Sequence, residues 1–287
     1  MNKSVFNIGH AIHFITNELE KFYPTQEINA FIRIIFNHLL HINSIELKIK
    51  VNTKLSISQK EQISRMVFEL KKYNPIQYVI GETEFYGLKF EVNKQVLIPR
   101  PETEELVDWI IKENTDGKIS LLDMGTGSGC IAVTLSCYLP GSDVYAIDIS
   151  KEALTTARKN SEHNKARISF ILQDILTLTS LPDTPLFDLI VSNPPYVRMS
   201  EKKAMHKNIL NYEPHQSLFV SDEEPLIFYH AIAKFALSAL KPNGKIFVEI
   251  NEGLEKECIH LFSNYQFRNV ICRHDLNGKA RMIKISR

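Results

Sequence analysis

"LLDMGTGSGC", residues 121–130, places Gly125, Gly127 and Gly129 between two apolar runs. Glycine lets the backbone turn sharply and lets a ligand approach closely, because it has no Cβ. The run before the glycines has the composition of a buried strand. The run after them suits a helix, whose first N–H groups are free of intrahelical partners. The segment therefore predicts a strand, a ligand-binding loop and a helix in succession.

The sequence on either side of this loop repeats the same alternation of strand and helix. Such alternation predicts right-handed βαβ units and an α/β fold: a doubly wound, mostly parallel sheet with helices on both faces. Near the end, Asn277-Gly278 separates two strand-like runs and predicts a hairpin, so that an antiparallel edge strand closes the sheet. The predicted strands are residues 119–125, 144–150, 168–174, 187–193, 244–250, 267–275 and 280–286.

The chain before the sheet has a different character. Apolar residues recur at helical spacing over the first seventy-odd positions and predict a small helical bundle at residues 1–75. Its third helix is expected to begin at Ser58, with Glu61 completing a capping box, and to stop before Pro75.

A short connector follows the predicted bundle. Residues 76–98 alternate between apolar and polar types around Gly81 and Gly87, which predicts a β-hairpin. The sheet domain is then expected to span residues 99–287.

Composition limits the classes of function. The chain has 287 residues and a formal net charge of +1, which argues against broad clamping of a nucleic-acid backbone. Its four cysteines are scattered without a Cys-x-x-Cys pair, and its ten histidines show no metal spacing, so no metal is predicted. No signal peptide or membrane-spanning run is apparent, and the cytoplasm is the expected location.

Two acids lie at the carboxyl ends of the second and third predicted strands of the sheet. Asp148 lies 19 residues beyond Gly129, where a carboxylate can accept both hydroxyls of a ribose, and Asp174 lies where an adenine edge would pass. Either acid alone has a simpler structural explanation, as a helix neighbour or a solvated loop residue. Because the glycine loop and both acids map to one sheet edge, together they predict an adenosine ligand. No Gly-Lys-Ser/Thr follows the glycines, so no phosphate cradle is predicted.

"SNPPY" ends the fourth predicted strand at the same edge. A strand stop explains one proline, but not Asn193, Pro194, Pro195 and Tyr196 together. An amide or adenine –NH₂ is a poor nucleophile, and a site can orient it by accepting both of its N–H bonds. The side-chain oxygen of Asn193 and the carbonyl of Pro194 are suitable acceptors, and Tyr196 can stack on a flat group. Paired with the adenosine edge, this tip predicts methyl transfer from S-adenosylmethionine.

At this point the sequence resembles a known family. "DMGTGSG", "AIDIS", "QD" and "SNPPY", in that order, are similar to class I S-adenosylmethionine-dependent methyltransferases of the Asn-Pro-Pro-Tyr type. "NPIQYVIGETEFYGLKFEVNKQVLIPRPETEELV", "NYEPHQSLFV" and "HDLNGKARMIKI" resemble the protein-glutamine methyltransferases that modify peptide chain release factors. The resemblance implies a seven-stranded sheet and methylation of the glutamine side chain in the Gly-Gly-Gln motif of class 1 release factors, with S-adenosylhomocysteine as by-product. It also implies that the helical bundle at residues 1–75 is the domain that docks the release factor.

The resemblance also implies roles for individual residues. Asp148 would take the ribose and Asp174 would lie beside the adenine. Asn193 would contact the donor methyl group as well as the acceptor. The loop residues expected to hold the methionine and ribose are Gly125, Thr126, Gly127, Ser128 and Gly129; those expected to bind the acceptor glutamine are Asn193, Pro194, Pro195 and Tyr196; those expected to wall the site are Arg100, Pro101 and Glu102.

Three alternatives stay open on the sequence alone. The Asn-Pro-Pro-Tyr tip also suits a DNA adenine-N6 methyltransferase, which would flip out its base. Glutamine methylation of a ribosomal protein is a second possibility, and a non-catalytic binder that senses the donor is a third. The preferred hypothesis is a monomer whose partner is a class 1 release factor, with no membrane and no direct nucleic-acid partner.

Overall fold

The computed structural model describes residues 6–115 and 118–287, and their contacts divide the chain into two units. One unit comprises the chain up to Gly81 together with His206–Tyr212, and the other comprises Glu82–Met205 and Glu213–Arg287. None of the helices in the described ranges combines the length and apolarity that a membrane span requires.

Helices and strands alternate through the second unit, as predicted.

Across both units, the helices are α1 (Ile8–Leu19), α2 (Thr25–Leu40), α3 (Ser44–Ile49), α4 (Ile57–Leu70), α5 (Ile76–Ile80), α6 (Pro101–Glu113), α7 (Cys130–Tyr138), α8 (Lys151–His163), α9 (Lys207–Tyr212), α10 (Ile227–Ala239) and α11 (Glu255–Asn264). The strands are β1 (Glu82–Phe85), β2 (Leu88–Glu91), β3 (Ser120–Met124), β4 (Asp143–Asp148), β5 (Ile168–Leu172), β6 (Phe187–Ser192), β7 (Val197–Arg198), β8 (Phe219–Val220), β9 (Leu240–Glu249), β10 (Arg268–His274) and β11 (Ala280–Ser286).

The first unit is a helical bundle, as the periodicity predicts. Helices α1, α2 and α4 turn their apolar faces inward, and Ile8, Ile15, Leu19, Ile35 and Leu70 are wholly buried. Burying a large aliphatic side chain stabilises the fold by roughly 1.5–3 kcal/mol. These contacts, more than helix propensity, stabilise the short helices.

Two local predictions for this region were wrong. Helix α4 is capped by Ser56, whose Oγ accepts from the N–H of Gln59 at 3.1 Å, while Gln59 Oε1 accepts from the N–H of Ser56 at 2.8 Å. Ser56 and Gln59 match the capping-box pattern as well as Ser58 and Glu61 do, two residues earlier. Residues 76–80, expected in the hairpin, instead form α5.

The boundaries of α5 explain that error. Pro75 precedes its first residue, and Gly81, at φ 81°, ends it in the left-handed conformation. These are the proline and glycine positions that suit a helix start and stop. The hairpin itself is present but shorter, with β1 and β2 pairing antiparallel from Glu82 to Glu91.

The main sheet has seven strands in the order β10-β11-β9-β6-β3-β4-β5. Strands β9, β6, β3, β4 and β5 pair in parallel, which confirms the predicted doubly wound, mostly parallel sheet. The hairpin at Asn277-Gly278 is also present. The edge strand β10 pairs antiparallel with its neighbour, as predicted, and β11 lies between β9 and β10.

Both faces of the sheet are covered by helices. One buried cluster lies against α10 and α11, and the other against α6 and α7. All five residues of β3 are buried, with Leu122 and Met124 in the first cluster and Leu121 in the second. A strand covered on both faces is mostly apolar, as β3 is apart from Ser120 and Asp123. Because β3, β4, β5 and β6 are parallel, their carboxyl ends lie on the same side of the sheet. That side carries the glycine loop, Asp148, Asp174 and Asn193.

Candidate active site

The glycine loop crosses from β3 to α7. Gly125, Gly127 and Gly129 have φ values of 79°, 55° and 82°, a region that favours glycine. The N–H groups of Gly125 and Thr126 both donate to the carbonyl of Ile147 at 2.9 Å, which ties the loop to β4. Two features therefore determine the loop conformation: glycine at the three positions with positive φ, and hydrogen bonds to the neighbouring strand.

Asp148 lies at the end of β4 and faces the loop. Its Oδ2 accepts from the N–H of Gly127 at 2.8 Å, and its Oδ1 accepts from the N–H of Ser150 at 2.9 Å. Burial raises the pKa of Asp148, while these backbone donors act in the opposite direction. Each carboxylate oxygen has more than one lone pair, so each has capacity left for a ligand hydroxyl.

Asp174 follows β5 and caps a single 3₁₀ turn. Its Oδ1 accepts from the N–H of Leu176 at 2.9 Å, so part of its role is structural. It nevertheless lines the same cavity as Asp148, together with the apolar side chains of Ile175 and Leu176. An acid beside two apolar side chains suits an adenine, which has a flat apolar face and an amino edge.

Asp123 is a buried acid that the sequence analysis did not single out. Its Oδ2 accepts from the hydroxyl of Thr126 at 2.7 Å and from the N–H of Ala132 at 3.2 Å. Its Oδ1 has no hydrogen-bond partner among the described residues. Burial raises the pKa of Asp123 to about 7. The sequence does contain a signal for this residue, because an acid stands in the middle of the apolar run "LLDMG" and carboxylates are rarely buried unless they are paired.

The Asn-Pro-Pro-Tyr tip is held from behind by a buried acid, Glu249. Asn193 Nδ2 donates to Thr103 Oγ1 at 3.1 Å, and the Thr103 hydroxyl donates to Glu249 Oε2 at 2.7 Å. The Tyr196 hydroxyl donates to Glu249 Oε1 at 2.8 Å, and Asn251 Nδ2 donates to the carbonyl of Tyr196 at 3.2 Å. The tip is therefore a fixed structure and not a loose turn.

One cavity of about 230 Å³ collects most of these groups. The predicted site residues that line it are Gly125, Thr126, Gly127, Ser128, Asp148, Asp174, Asn193 and Pro195. Gly129, Pro194 and Tyr196 do not appear in its wall, and of the three expected wall residues Arg100 lines it while Pro101 and Glu102 do not. The structure thus brings the glycine loop, both acids and the asparagine to one place.

Several wall residues were not predicted. Thr103 and the segment Pro214, Gln216 and Ser217 face the cavity. Arg100 Nη2 lies 2.6 and 2.8 Å from the two carboxylate oxygens of Glu213, a buried acid, and this ion pair joins the two sides of the wall. The signal for Glu213 was its place in the quoted "NYEPHQSLFV". Thr103 likewise lies in the quoted "IPRPETEELV", but no local pattern gave it a role of its own.

The wall chemistry suits a ligand with an adenosine and no phosphates. Of the described residues, Arg100 is the one cation that lines the cavity, and Glu213 already neutralises it. The remaining polar groups are carboxylates, amides, hydroxyls and loop backbone. A Cβ added at Gly127 would meet nothing within 4 Å, so the loop leaves open space where a ligand can approach. The residues present therefore fit S-adenosylmethionine.

Comparison with known proteins agrees with this chemistry. The family described as "Methyltransferase domain" matches residues 115–272, and the "PrmC N-terminal domain" matches residues 10–81. A solved methyltransferase structure from Pyrococcus furiosus shares the fold, with a TM-score of 0.52 at 16% identity, over 80% of this chain and 98% of that one. The second unit is thus a methyltransferase domain of the class I fold.

Closer relatives define the family. The chain is 46% identical over 272 residues to the release factor glutamine methyltransferase of Flavobacterium psychrophilum, covering 93% of this chain and 95% of the relative. It is 42% identical over 274 residues to the protein of the same name from Bacteroides thetaiotaomicron, covering 96% and 98%. The chain belongs to the release factor glutamine methyltransferase family.

Proposed function

We propose that this chain transfers a methyl group from S-adenosylmethionine to the side-chain amide nitrogen of the glutamine in the Gly-Gly-Gln motif of class 1 release factors. The observation that carries the proposal is the shared cavity: the carboxamide of Asn193 lines the same wall as the glycine loop and Asp148. Family membership supplies the acceptor. Translation termination and the cytoplasm are the expected setting.

We assign donor binding to the residues at the carboxyl ends of β3, β4 and β5. S-adenosylmethionine supplies an electrophilic methyl group on a sulfonium. Asp148 accepts hydrogen bonds from the ribose hydroxyls with the lone pairs that Gly127 and Ser150 leave free. Asp174 and Ile175 flank the adenine, and the open space at Gly127 admits the methionine part.

We assign acceptor binding to the Asn-Pro-Pro-Tyr tip, which follows β6. Asn193 Oδ1 and the carbonyl of Pro194 have no donor among the described residues, so both are available as acceptors, although only Asn193 of the two lines the cavity. Together they take the two N–H bonds of a primary amide and turn its nitrogen lone pair toward the methyl group. Positioning of this kind can lower a barrier by about 7–11 kcal/mol at most. Because Tyr196 lies behind the wall with its hydroxyl on Glu249, we assign it to fixing the tip and not to stacking on the substrate.

No general base is required by this arrangement. In the described part of the wall the ionisable groups are Arg100, Asp148, Asp174 and Cys130. The first three each have another partner, and burial raises the pKa of the Cys130 thiol to about 12. The amide nitrogen becomes strongly acidic once methylated, so its proton passes to water without help. The chain therefore acts by holding both partners in line, which is consistent with the rigid tip.

Incubation of the purified chain with a labelled donor and a class 1 release factor tests the proposal. We expect the label on one glutamine, located by peptide mass spectrometry, and none on a release factor whose Gly-Gly-Gln glutamine is replaced by alanine. Ribosomal protein and duplex DNA serve as competing acceptors. Label that goes to either of those, or donor binding without any transfer, would overturn the assignment.

Two glycines of the loop are expected to respond differently to alanine. A Cβ at Gly129 would lie 3.0 Å from the Cβ and 3.2 Å from the Cα of Ala157, so Gly129→Ala should lower the free energy of unfolding by about 1–3 kcal/mol beyond the cost of its positive φ. At Gly127 the new methyl meets no protein atom, so Gly127→Ala should instead weaken donor binding by occupying ligand space. Thermal melts and calorimetry separate the two effects.

Gly278→Ala is the matched control for these variants. Its φ of 79° is also left-handed, and a Cβ there would meet nothing within 4 Å. It therefore reports the cost of positive φ alone, about 1–2 kcal/mol. If Gly127→Ala bound the donor as well as Gly278→Ala does, the loop would not approach the ligand as assigned.

A further inference from the structure

The buried pair of Thr103 and Glu249 decides which atom of the Asn193 carboxamide faces the cavity. Oxygen and nitrogen of an amide have nearly the same shape, so either can face a ligand unless a neighbour discriminates between them. For the proposed reaction the choice is decisive, because an oxygen accepts the N–H of the substrate amide whereas an –NH₂ group would repel it.

Counting protons fixes the choice. Thr103 has a single hydroxyl proton, and Glu249 Oε2 lies 2.7 Å from its oxygen. A carboxylate only accepts, so that proton points at Glu249. The Thr103 oxygen can then only accept from Asn193, whose nearest atom lies at 3.1 Å and must be Nδ2. The carboxamide oxygen is left for the cavity.

Three neighbours of Glu249 stabilise the charged form that this count requires, although burial gives its pKa a net rise. Burial raises the pKa of Glu249, but the hydroxyls of Thr103 and Tyr196 and the charge of Arg281 act in the opposite direction. Each carboxylate oxygen accepts one hydroxyl, with Tyr196 at 2.8 Å on Oε1. Thr103 and Glu249 are 2% and 0% exposed, so no water replaces these donors readily.

We propose that Thr103, held by Glu249, is a positioning residue that turns the oxygen of Asn193 toward the acceptor amide. The inference rests on the proposed function, which supplies the amide. Thr103 is 146 residues from Glu249 and 90 from Asn193 along the chain, so the arrangement exists only in the folded protein.

Two substitutions at Thr103 give opposite expectations for positioning and for packing. Thr103→Val keeps the shape but removes the hydroxyl, and Thr103→Ser keeps the hydroxyl but removes a methyl group. Positioning predicts that turnover falls about ten-fold in the valine variant, the effect of one net hydrogen bond, and is largely kept in the serine variant. Donor affinity should be unchanged in both. A packing role predicts the reverse order.

Thr134→Val is the matched control. Thr134 is also wholly buried, and its hydroxyl has no partner among the described residues. We expect this variant to keep wild-type turnover. A double variant adds a second check: in an Asn193→Ala background, Thr103→Val should have no further effect, because the group that Thr103 orients is absent.

A readout without substrate separates this inference from the proposed function. The side-chain amide protons of Asn193 are identified by NMR as the signals lost in Asn193→Ala. Their exchange with water should be about ten-fold faster in Thr103→Val than in wild type, Thr103→Ser and Thr134→Val. Equal exchange in all four proteins overturns the inference, as does full loss of activity in the serine variant. Wild-type protein with protected protons but no transfer to any glutamine overturns only the proposed function.

Discussion

Asn193→Ala is expected to lower turnover on a release factor by a factor on the order of 10² to 10³, the usual effect of removing one preorganised polar group from a reacting centre. The variant loses the acceptor that orients the glutamine amide, so its nitrogen lone pair no longer points at the methyl group. Since Asn193 donates one hydrogen bond to Thr103 and lies at the wall of the cavity, its removal should cost little stability. Single-turnover assays with saturating donor measure the effect directly.

Asn243→Ala is the control for that experiment. Asn243 is an exposed asparagine of the same unit and does not line the cavity. Calorimetry with S-adenosylhomocysteine should give nearly the same affinity for both variants and for wild type. If Asn193→Ala kept the turnover of Asn243→Ala, the amide would be oriented by other groups and the assignment of the tip would be wrong.

The strand ends were predictable because each of their signals is local. Gly125, Gly127 and Gly129 report backbone conformation, and Asp148 ends an apolar run whose length gives the strand. The parallel order then brings these ends to one edge without any knowledge of side-chain contacts. Family-specific stretches of sequence added the acceptor, which no spacing of residues encodes.

Predictions failed where two local patterns compete or where partners lie far apart in the chain. Ser56 and Ser58 both begin a sequence that matches the capping-box pattern, and periodicity alone does not choose between them. The turn signal at Asn277-Gly278 predicts that β10 and β11 pair. It does not predict that β11, and not β10, lies next to β9. That choice depends on the crossover through α11, which is a property of the whole sheet.

The support behind the asparagine could not be predicted for the same reason. Glu249 ends an apolar strand, and a charge at that position was a visible signal without a visible partner. Its partners Thr103 and Tyr196 come from a helix and a loop that are adjacent only after the sheet has formed. The residues that we propose to contact the two substrates are thus encoded locally, whereas the residues behind them are encoded by the fold.

Asp148→Ala is expected to weaken binding of S-adenosylmethionine by about 10²-fold, from the loss of two hydrogen bonds to a charged group at about 1.5 kcal/mol each. The matched control is Asp143→Ala. Asp143 is the exposed first residue of β4, and Asp148 is the last residue of the same strand, so the two lie at opposite ends of it. Calorimetry should show wild-type affinity for the control. Equal affinities in the two alanine variants would contradict the ribose assignment.

The pH dependence of donor binding provides a second, independent signature of Asp148. Burial raises the pKa of Asp148 above its ordinary value, so its carboxyl takes up a proton at a higher pH than an exposed aspartate does. The carboxylate is the form that accepts two ribose hydroxyls. Affinity should therefore be full above the raised pKa and fall as the pH drops through it, in wild type and Asp143→Ala but not in Asp148→Ala. A fall of the same size in Asp148→Ala would assign the titration to another group, because the alanine has no proton to gain.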